Sequence, residues 1–179
     1  NGVDIKDKPT HVVFSKTDIT GGQELAGANM VLTDSDGKEI ERWVSDGTPH
    51  ELIAVLEPGE TYFLTEELPP DGYAFAETIE FTVSEDGTID RVQMEDKPTR
   101  IEISKFDITG EKELPGAELE IRDKDGNLIE SWVSDGTSHV IQGKLIAGET
   151  YSLIEKTAPD GYAFAETIEF TVSLDGRVD

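Results

Sequence analysis

The stretch YFLTEELPPDGY, Tyr62–Tyr73, combines a predicted strand with a turn that ends it. Tyr62, Leu64 and Glu66 have the same parity, so in an extended chain their side chains lie on one face. The Pro-Pro-Asp-Gly that follows ends strands and forms turns. Because two of the three side chains are apolar, Glu66 is predicted to point into a core. A buried carboxylate is costly unless it is paired or protonated, so the rest of the sequence has to supply its partner.

The same pattern returns as YSLIEKTAPDGY at Tyr151–Tyr162, an offset of 89 residues (151 minus 62). The block DGYAFAETIEFTVS also occurs twice at this offset, at 71–84 and 160–173. A repeat of this length can bury its own core, so it indicates tandem domains rather than a solenoid. We predict a complete first repeat at 8–97 and a second repeat at 98–179.

Within each repeat the apolar residues alternate with period two, and turn signals such as DSDG, SDGT and PPDG separate the runs. This pattern predicts an all-β chain of two Ig-like β-sandwiches. The strands predicted in the first repeat are residues 11–17, 28–33, 38–44, 50–56, 61–67, 77–84 and 89–96.

Composition narrows the classes of function. The formal net charge is −24, which argues against nucleic acid and anionic membranes as partners. The chain has no cysteine, so disulfides and thiol chemistry are excluded. No apolar run is long enough to span a bilayer.

Strand parity identifies two further ionisable residues that face the core. Lys16 shares its face with Val12 and Phe14, and Asp96 shares its face with the apolar residues two and four positions before it. The first repeat therefore directs a lysine, a glutamate and an aspartate inward. The second repeat has the matching Lys105 and Glu155.

Two interpretations of this trio remain open from the residues alone. The first is a buried ion pair or triad, which contributes little stability because desolvation roughly cancels attraction. The second is covalent: burial favours the neutral amine of Lys16, which attacks the Asp96 carboxyl with loss of water. Glu66 would polarise that carboxyl and move protons.

The motif YxLxExxAPxGY, the inward lysine of the opening strand and the sequence ELxGA together resemble one family. ELxGA occurs as ELAGA at 24–28 and ELPGA at 113–117. The family is that of the collagen-adhesin B-type repeats, also called SpaA or prealbumin-like domains, of Gram-positive surface proteins and pilins. The resemblance implies prealbumin-like β-sandwiches that form intramolecular isopeptide bonds.

By that resemblance, the bond-forming lysines are Lys16 and Lys105, the catalytic glutamates are Glu66 and Glu155, and the acceptor in the first repeat is Asp96. Asparagine is the commoner acceptor in the family, so an aspartate implies that water rather than ammonia is lost. The sequence departs from the motif at residue 69, where proline replaces alanine; this departure is expected to be harmless.

Both ends of the sequence align with part of the first repeat at the same 89-residue offset. The second repeat stops at Asp179, which corresponds to residue 90 of the first, so we expect it to lack its own last strand. NGVDIKDKPT at the start matches DRVQMEDKPT at 90–99, so residues 1–7 are predicted to be the last strand of a preceding repeat. We expect residues 3–7 of one molecule to complete the second repeat of another, head to tail. Asp7 would then face Lys105 and Glu155 and form an isopeptide bond with Lys105. The alternative is a frayed second repeat and a loose N-terminus.

Two acidic turns, at 34–37 and 123–127, resemble half of a calcium loop, but Asp-Gly between two strands is a common hairpin turn. We therefore predict no metal site.

Two matched histidines, His50 and His139, are predicted to be solvated strand residues. The matched Trp43 and Trp132 are expected to pack against the core or cover a sheet rather than form a sugar platform.

These observations predict a structural stalk or pilin-like module on a Gram-positive cell surface, anchored to the cell wall by other parts of its parent protein. It needs no cofactor, and its only chemistry is single-turnover self-crosslinking. The expected partners are neighbouring copies of itself or adjacent repeats.

One alternative is an adhesin module that binds a host protein or glycan, although no insertion breaks the repeat. The other is a carbohydrate-binding accessory module, which the aromatic content of 7% disfavours.

Overall fold

The computed structural model describes residues 4–86 and 88–178. These residues form thirteen β-strands and no helix, and so no helix that could cross a bilayer. The chain divides into two compact units. Unit 1 is the chain up to Pro70 together with Phe75–Lys97, and unit 2 is Asp71–Ala74 together with the chain from Pro98 onward. The predicted strand at 1–7 lies partly outside the described residues, as does Asp179.

Unit 1 contains seven strands, close to the seven predicted from alternation. They are β1 (His11–Asp18), β2 (Ala26–Asp34), β3 (Glu39–Asp46), β4 (His50–Ile53), β5 (Thr61–Leu68), β6 (Ile79–Thr82) and β7 (Ile89–Asp96). β6 is two residues shorter at each end than predicted, and β4 ends three residues earlier than predicted. Ala54 ends it because its φ of 57° is left-handed and incompatible with a strand.

The strands of unit 1 form two facing sheets. One has the order β4-β1-β7, in which β1 is antiparallel to β4 and parallel to β7. The other has the antiparallel order β3-β2-β5-β6. The inward residues form one core, which includes Val12, Phe14, Met30, Leu32, Leu64, Val92 and Met94. This arrangement is the predicted β-sandwich.

One detail of β1 differs from the parity argument. Val13 and Thr17 have the parity of the outward face, yet both are buried. β1 is the central strand of its sheet, between β4 and β7, and the side chain of Gln93 on β7 donates a hydrogen bond to Thr17 Oγ1 at 3.3 Å. Alternation therefore identified the residues of the core but not every buried residue.

Unit 2 repeats the architecture with six strands. They are β8 (Arg100–Ile103), β9 (Pro115–Asp123), β10 (Leu128–Asp135), β11 (His139–Gln142), β12 (Thr150–Thr157) and β13 (Ile168–Thr171). Its sheets have the orders β11-β8 and β10-β9-β12-β13. Among the described residues of unit 2, none forms a counterpart of β7.

The acidic turns are hairpin turns closed by their own side chains. Asp34 Oδ1 accepts hydrogen bonds from the backbone N–H groups of Asp36 and Lys38, at 3.0 and 2.9 Å. Asp123 Oδ1 accepts the equivalent bonds in unit 2. The leading carboxylate of each loop thus serves the turn itself.

Both histidines are strand residues, as predicted, but their side chains are only 29% exposed rather than fully solvated. His50 is half-buried, stacked on Trp43 with ring centroids 4.3 Å apart, and its Nε2 lies 3.1 Å from Glu41 Oε1. His139 stacks on Trp132 at the same distance. The tryptophans pack against the cores, as predicted, so the apolar ring face draws each imidazole out of solvent.

Candidate functional site

Three strands of unit 1 bring Lys16, Glu66 and Asp96 together inside the sandwich. Lys16 is on β1 and Asp96 is on the parallel neighbour β7, while Glu66 is on β5 of the facing sheet. Each occupies an inward position of its strand, which is why alternation predicted it. Their exposed fractions are 4%, 4% and 1%, so all three ionisable groups are removed from water.

The lysine ammonium lies between the two carboxyl groups. Lys16 Nζ is 2.9 Å from Glu66 Oε1 and donates a hydrogen bond to Asp96 Oδ1. Glu66 Oε1 receives no directed hydrogen bond from any described residue, so its contact with Lys16 is one of charge rather than of hydrogen-bond geometry. The trio predicted from parity is therefore in mutual contact.

A hydrogen bond to its second carboxylate oxygen, Oε2, holds Glu66 in place. The backbone N–H of Ala76 donates to Glu66 Oε2 at 2.9 Å. The matching bond in unit 2 joins Ala165 N to Glu155 Oε2 at 2.6 Å. Sequence reasoning missed these positioning groups, although the two alanines occupy the same place in the two copies of DGYAFAETIEF.

Burial changes the charge state of the acceptor. Desolvation raises the pKa of Asp96 from 3.8 to about 7, with Glu66 adding to the rise and Lys16 opposing it. Near neutral pH a substantial fraction of Asp96 is thus the neutral acid. A neutral carboxylic acid can release its hydroxyl group as water. A carboxylate would have to release an oxide ion, which is far harder. Asp96 Oδ2 is also buried, with no hydrogen-bond partner among the described residues.

A raised pKa predicts a pH dependence in a variant that cannot form a bond, Lys16→Ala. Removing Lys16 removes an influence that lowers the pKa of Asp96, so folded Asp96 holds its proton to higher pH than the unfolded chain does. The folded state then binds more protons above pH 3.8, and its free energy of unfolding falls as pH rises through the folded pKa.

The measurement is urea unfolding of this variant between pH 4 and pH 8. The double variant Lys16→Ala/Asp96→Ala is the control, because it keeps every other acid. If the free energy of unfolding changed with pH by the same amount in both proteins, the raised pKa of Asp96 would be contradicted.

Unit 2 contains the same lysine and glutamate in a more open setting. Lys105 Nζ lies 3.3 Å from Glu155 Oε1, and the Lys105 side chain is 17% exposed, against 4% for Lys16. No described residue of unit 2 occupies the place of Asp96. The predicted partner Asp7 lies in an exposed segment before β1, outside any strand. The structure thus assembles a complete trio in unit 1 and two of its three members in unit 2.

Each unit packs two β-sheets around its own core, as a modular β-sandwich domain does. Both repeats match the family model of SpaA, a prealbumin-like fold domain, over residues 10–98 and 99–179. The chain therefore belongs to the SpaA prealbumin-like domain family. This confirms the resemblance stated from the sequence motifs.

Solved structures with a similar fold come from bacterial proteins. The Bacillus anthracis TIE protein is 23% identical, with a TM-score of 0.54 over 96% of this chain and 33% of that chain. The C-terminal fragment of the pilus adhesin SpaC from Lactobacillus rhamnosus GG is 20% identical, with a TM-score of 0.51 over 94% and 83%. The shaft pilin SpaA from the same organism is 15% identical, with a TM-score of 0.43 over 96% and 97%.

The chain spans about a third of the length of the TIE protein. No curated protein matches it. What these comparisons establish is the prealbumin-like fold of both repeats.

Proposed function

We propose that the chain is a structural module of a Gram-positive surface protein, in which an isopeptide bond between Lys16 and Asp96 closes unit 1. The observation that carries the proposal is the position of Lys16 Nζ between Glu66 and Asp96 in a site closed to water. A lone ion pair needs one acid for one base. Two acids around one lysine provide both an acyl acceptor and a proton carrier.

The reaction is a condensation. The Lys16 ammonium first gives a proton to the Asp96 carboxylate, which leaves a neutral amine and a neutral acid. The amine then attacks Cγ of Asp96 and forms the Nζ–Cγ bond, giving a tetrahedral centre. Glu66 accepts a proton from the attacking nitrogen and returns it to the departing hydroxyl group of Asp96. The Cγ–OH bond breaks and one water leaves. The product is an uncharged amide, so the reaction removes the buried charges of both partners.

The positions of the bonded strands suggest what the bond is for. It would join β1 to β7, the first and last strands of unit 1, across a sequence separation of 80 residues. Tension along the chain would then pass through a covalent link instead of the hydrogen bonds of the sheet. The chain has no cysteine, so the amide would do what a disulfide does in many extracellular domains. Such a module fits a cell-wall-anchored stalk at the bacterial surface.

Exchanging the acceptor tests which side chain is joined to Lys16. Asp96→Asn should still react, but with loss of ammonia instead of water, because the leaving group is now an amine. Asp96→Ala should keep the full sequence mass. Both reactions give the same amide, so in high-resolution intact mass the reacted Asp96→Asn monomer should equal the reacted wild type, whereas an unreacted Asp96→Asn monomer would be heavier by one ammonia. A mass deficit that persists unchanged in Asp96→Ala would show that the acceptor is elsewhere and would refute the assignment.

A further inference from the structure

The repeated motif ELxGA has no role in the reaction as described above, yet its first copy lies beside Lys16. The copy begins at Glu24, near the end of the β1–β2 loop, residues 19–25. Glu24 forms an antiparallel bridge with Thr17, the residue that follows Lys16 on β1. The β1–β2 loop therefore turns back along the strand that it has just left.

This loop binds both backbone polar groups of Lys16. The Lys16 N–H donates a hydrogen bond to Glu24 Oε2 at 2.8 Å, and the Lys16 C=O accepts one from the Leu25 N–H at 2.6 Å. The pairing of β1 with β4 has already ended at Phe14, whereas β7 runs along the other edge as far as Asp18. The loop thus takes the place of β4 at the edge of β1 beside Lys16.

The same loop also holds the backbone of the acceptor. The Ile19 N–H donates a hydrogen bond to the Asp96 C=O at 2.9 Å. The turn at the start of the loop is closed by Asp18, whose Oδ1 accepts a hydrogen bond from the Thr20 N–H at 2.9 Å. One short loop is therefore bonded to the backbones of both residues of the proposed amide.

The contact of Glu24 differs from the other two because a side chain makes it. A carboxylate that accepts a backbone N–H forms a charge-assisted hydrogen bond, which is shorter and stronger than a neutral one. The bond fixes the peptide group from which the Lys16 side chain extends, and so it limits where Nζ can lie. Misplacing a reacting atom by about 1 Å can cost about 100-fold in rate.

We propose that Glu24 is a positioning residue for the reaction of Lys16 with Asp96. Its carboxylate holds the Lys16 backbone so that Nζ lies against the Asp96 carboxyl, and it acts through Lys16 without exchanging a proton. This inference rests on the proposed function. Removing the contact should slow formation of the amide by about tenfold or more and leave the final product the same.

Unit 2 makes the same return with the second copy of the motif. Phe106 forms a bridge with Glu113, and the Leu114 N–H donates a hydrogen bond to the Lys105 C=O at 2.7 Å. The repeated sequence therefore encodes the return of the loop in both units. Glu113 is the matched control position, because a change there leaves unit 1 intact.

The rate of amide formation in the full chain tests the proposal. Cell-free synthesis is stopped with a translation inhibitor, samples are quenched in acid at intervals, and intact mass gives the fraction that lacks one water. Glu24→Gln should react at nearly the wild-type rate, since its amide oxygen can still accept the Lys16 N–H. Glu24→Ala and the shorter Glu24→Asp should be slower by about tenfold or more, and Glu113→Ala should be unchanged.

Two further measurements separate positioning from folding and from proton transfer. Each Glu24 variant is combined with Glu66→Gln, which does not react, and its refolding from urea is followed by circular dichroism. Refolding should slow much less than amide formation does. The dependence of the reaction rate on pH should keep its shape in Glu24→Ala, because a positioning defect lowers the rate by the same factor at every pH.

Several results would overturn the assignment of Glu24 and leave the proposed function standing. They are a wild-type rate in Glu24→Ala, an equal loss in Glu24→Gln, a slowing matched by that of refolding, or a pH profile of altered shape. If Glu24→Ala does not fold, Glu24→Asp against Glu24→Gln gives the same comparison. Folded wild type that never loses water would instead reject the Lys16–Asp96 bond, and the role of Glu24 with it.

Discussion

Lys16→Ala is expected to lower the free energy of unfolding of unit 1 by about 4–5 kcal/mol, from loss of the crosslink alone. The figure is the chain-entropy value for a loop of this size, since Lys16 and Asp96 are 80 residues apart. The variant also leaves Glu66 and Asp96 buried without their cation, which adds to the loss. For a domain of about 90 residues this corresponds to a fall in Tm of at least ~15 °C.

Lys105→Ala is the matched control. It removes the equivalent lysine of unit 2, where the described residues supply no acceptor. Its effect should be much smaller, because the Lys105 side chain is partly exposed and its removal breaks no covalent link among the described residues. Differential scanning calorimetry of both variants and the parent at one pH gives the comparison. A change within about 0.5 kcal/mol for Lys16→Ala, the size of an ordinary surface substitution, would contradict the crosslink.

Glu66→Gln is expected to leave Lys16 and Asp96 unjoined in a folded protein. Glutamine has nearly the same volume and can still accept the hydrogen bond from Ala76, but it cannot take a proton from the attacking amine. The variant should therefore have its full sequence mass and lose the part of the stability that comes from the bond.

Glu155→Gln makes the matched change in unit 2 and should leave the mass deficit of the monomer unchanged. Intact mass and melting of the two variants, made side by side, give the answer. If Glu66→Gln reacted as completely as the wild type, proton transfer through Glu66 would be excluded.

The sequence predicted the core-facing residues well because alternation records which face of a strand is buried. Lys16, Glu66 and Asp96 each share parity with apolar neighbours, so their inward direction could be inferred one strand at a time. The exact offset between the repeats then carried the same inference to Lys105 and Glu155. The fold class followed from the same period and from the spacing of the turns.

Contacts between distant segments could not be inferred in this way. The parallel pairing of β1 with β7 joins residues 78 positions apart, such as His11 and Ile89, and no local pattern encodes it. The same is true of the stacking of His50 on Trp43 and of the burial of Val13. β8 ends earlier than β1, although Ser104 and Lys105 repeat Ser15 and Lys16, and among the described residues it pairs with β11 alone.

The intact mass of the folded wild-type monomer, with a tryptic map of the same sample, tests the central claim most directly. The account predicts a mass below the sequence mass by one water. It also predicts one branched peptide, in which the fragment containing Lys16 is joined to the fragment containing Asp96. A well-folded monomer with the full sequence mass, giving these two fragments as separate peptides, would contradict it.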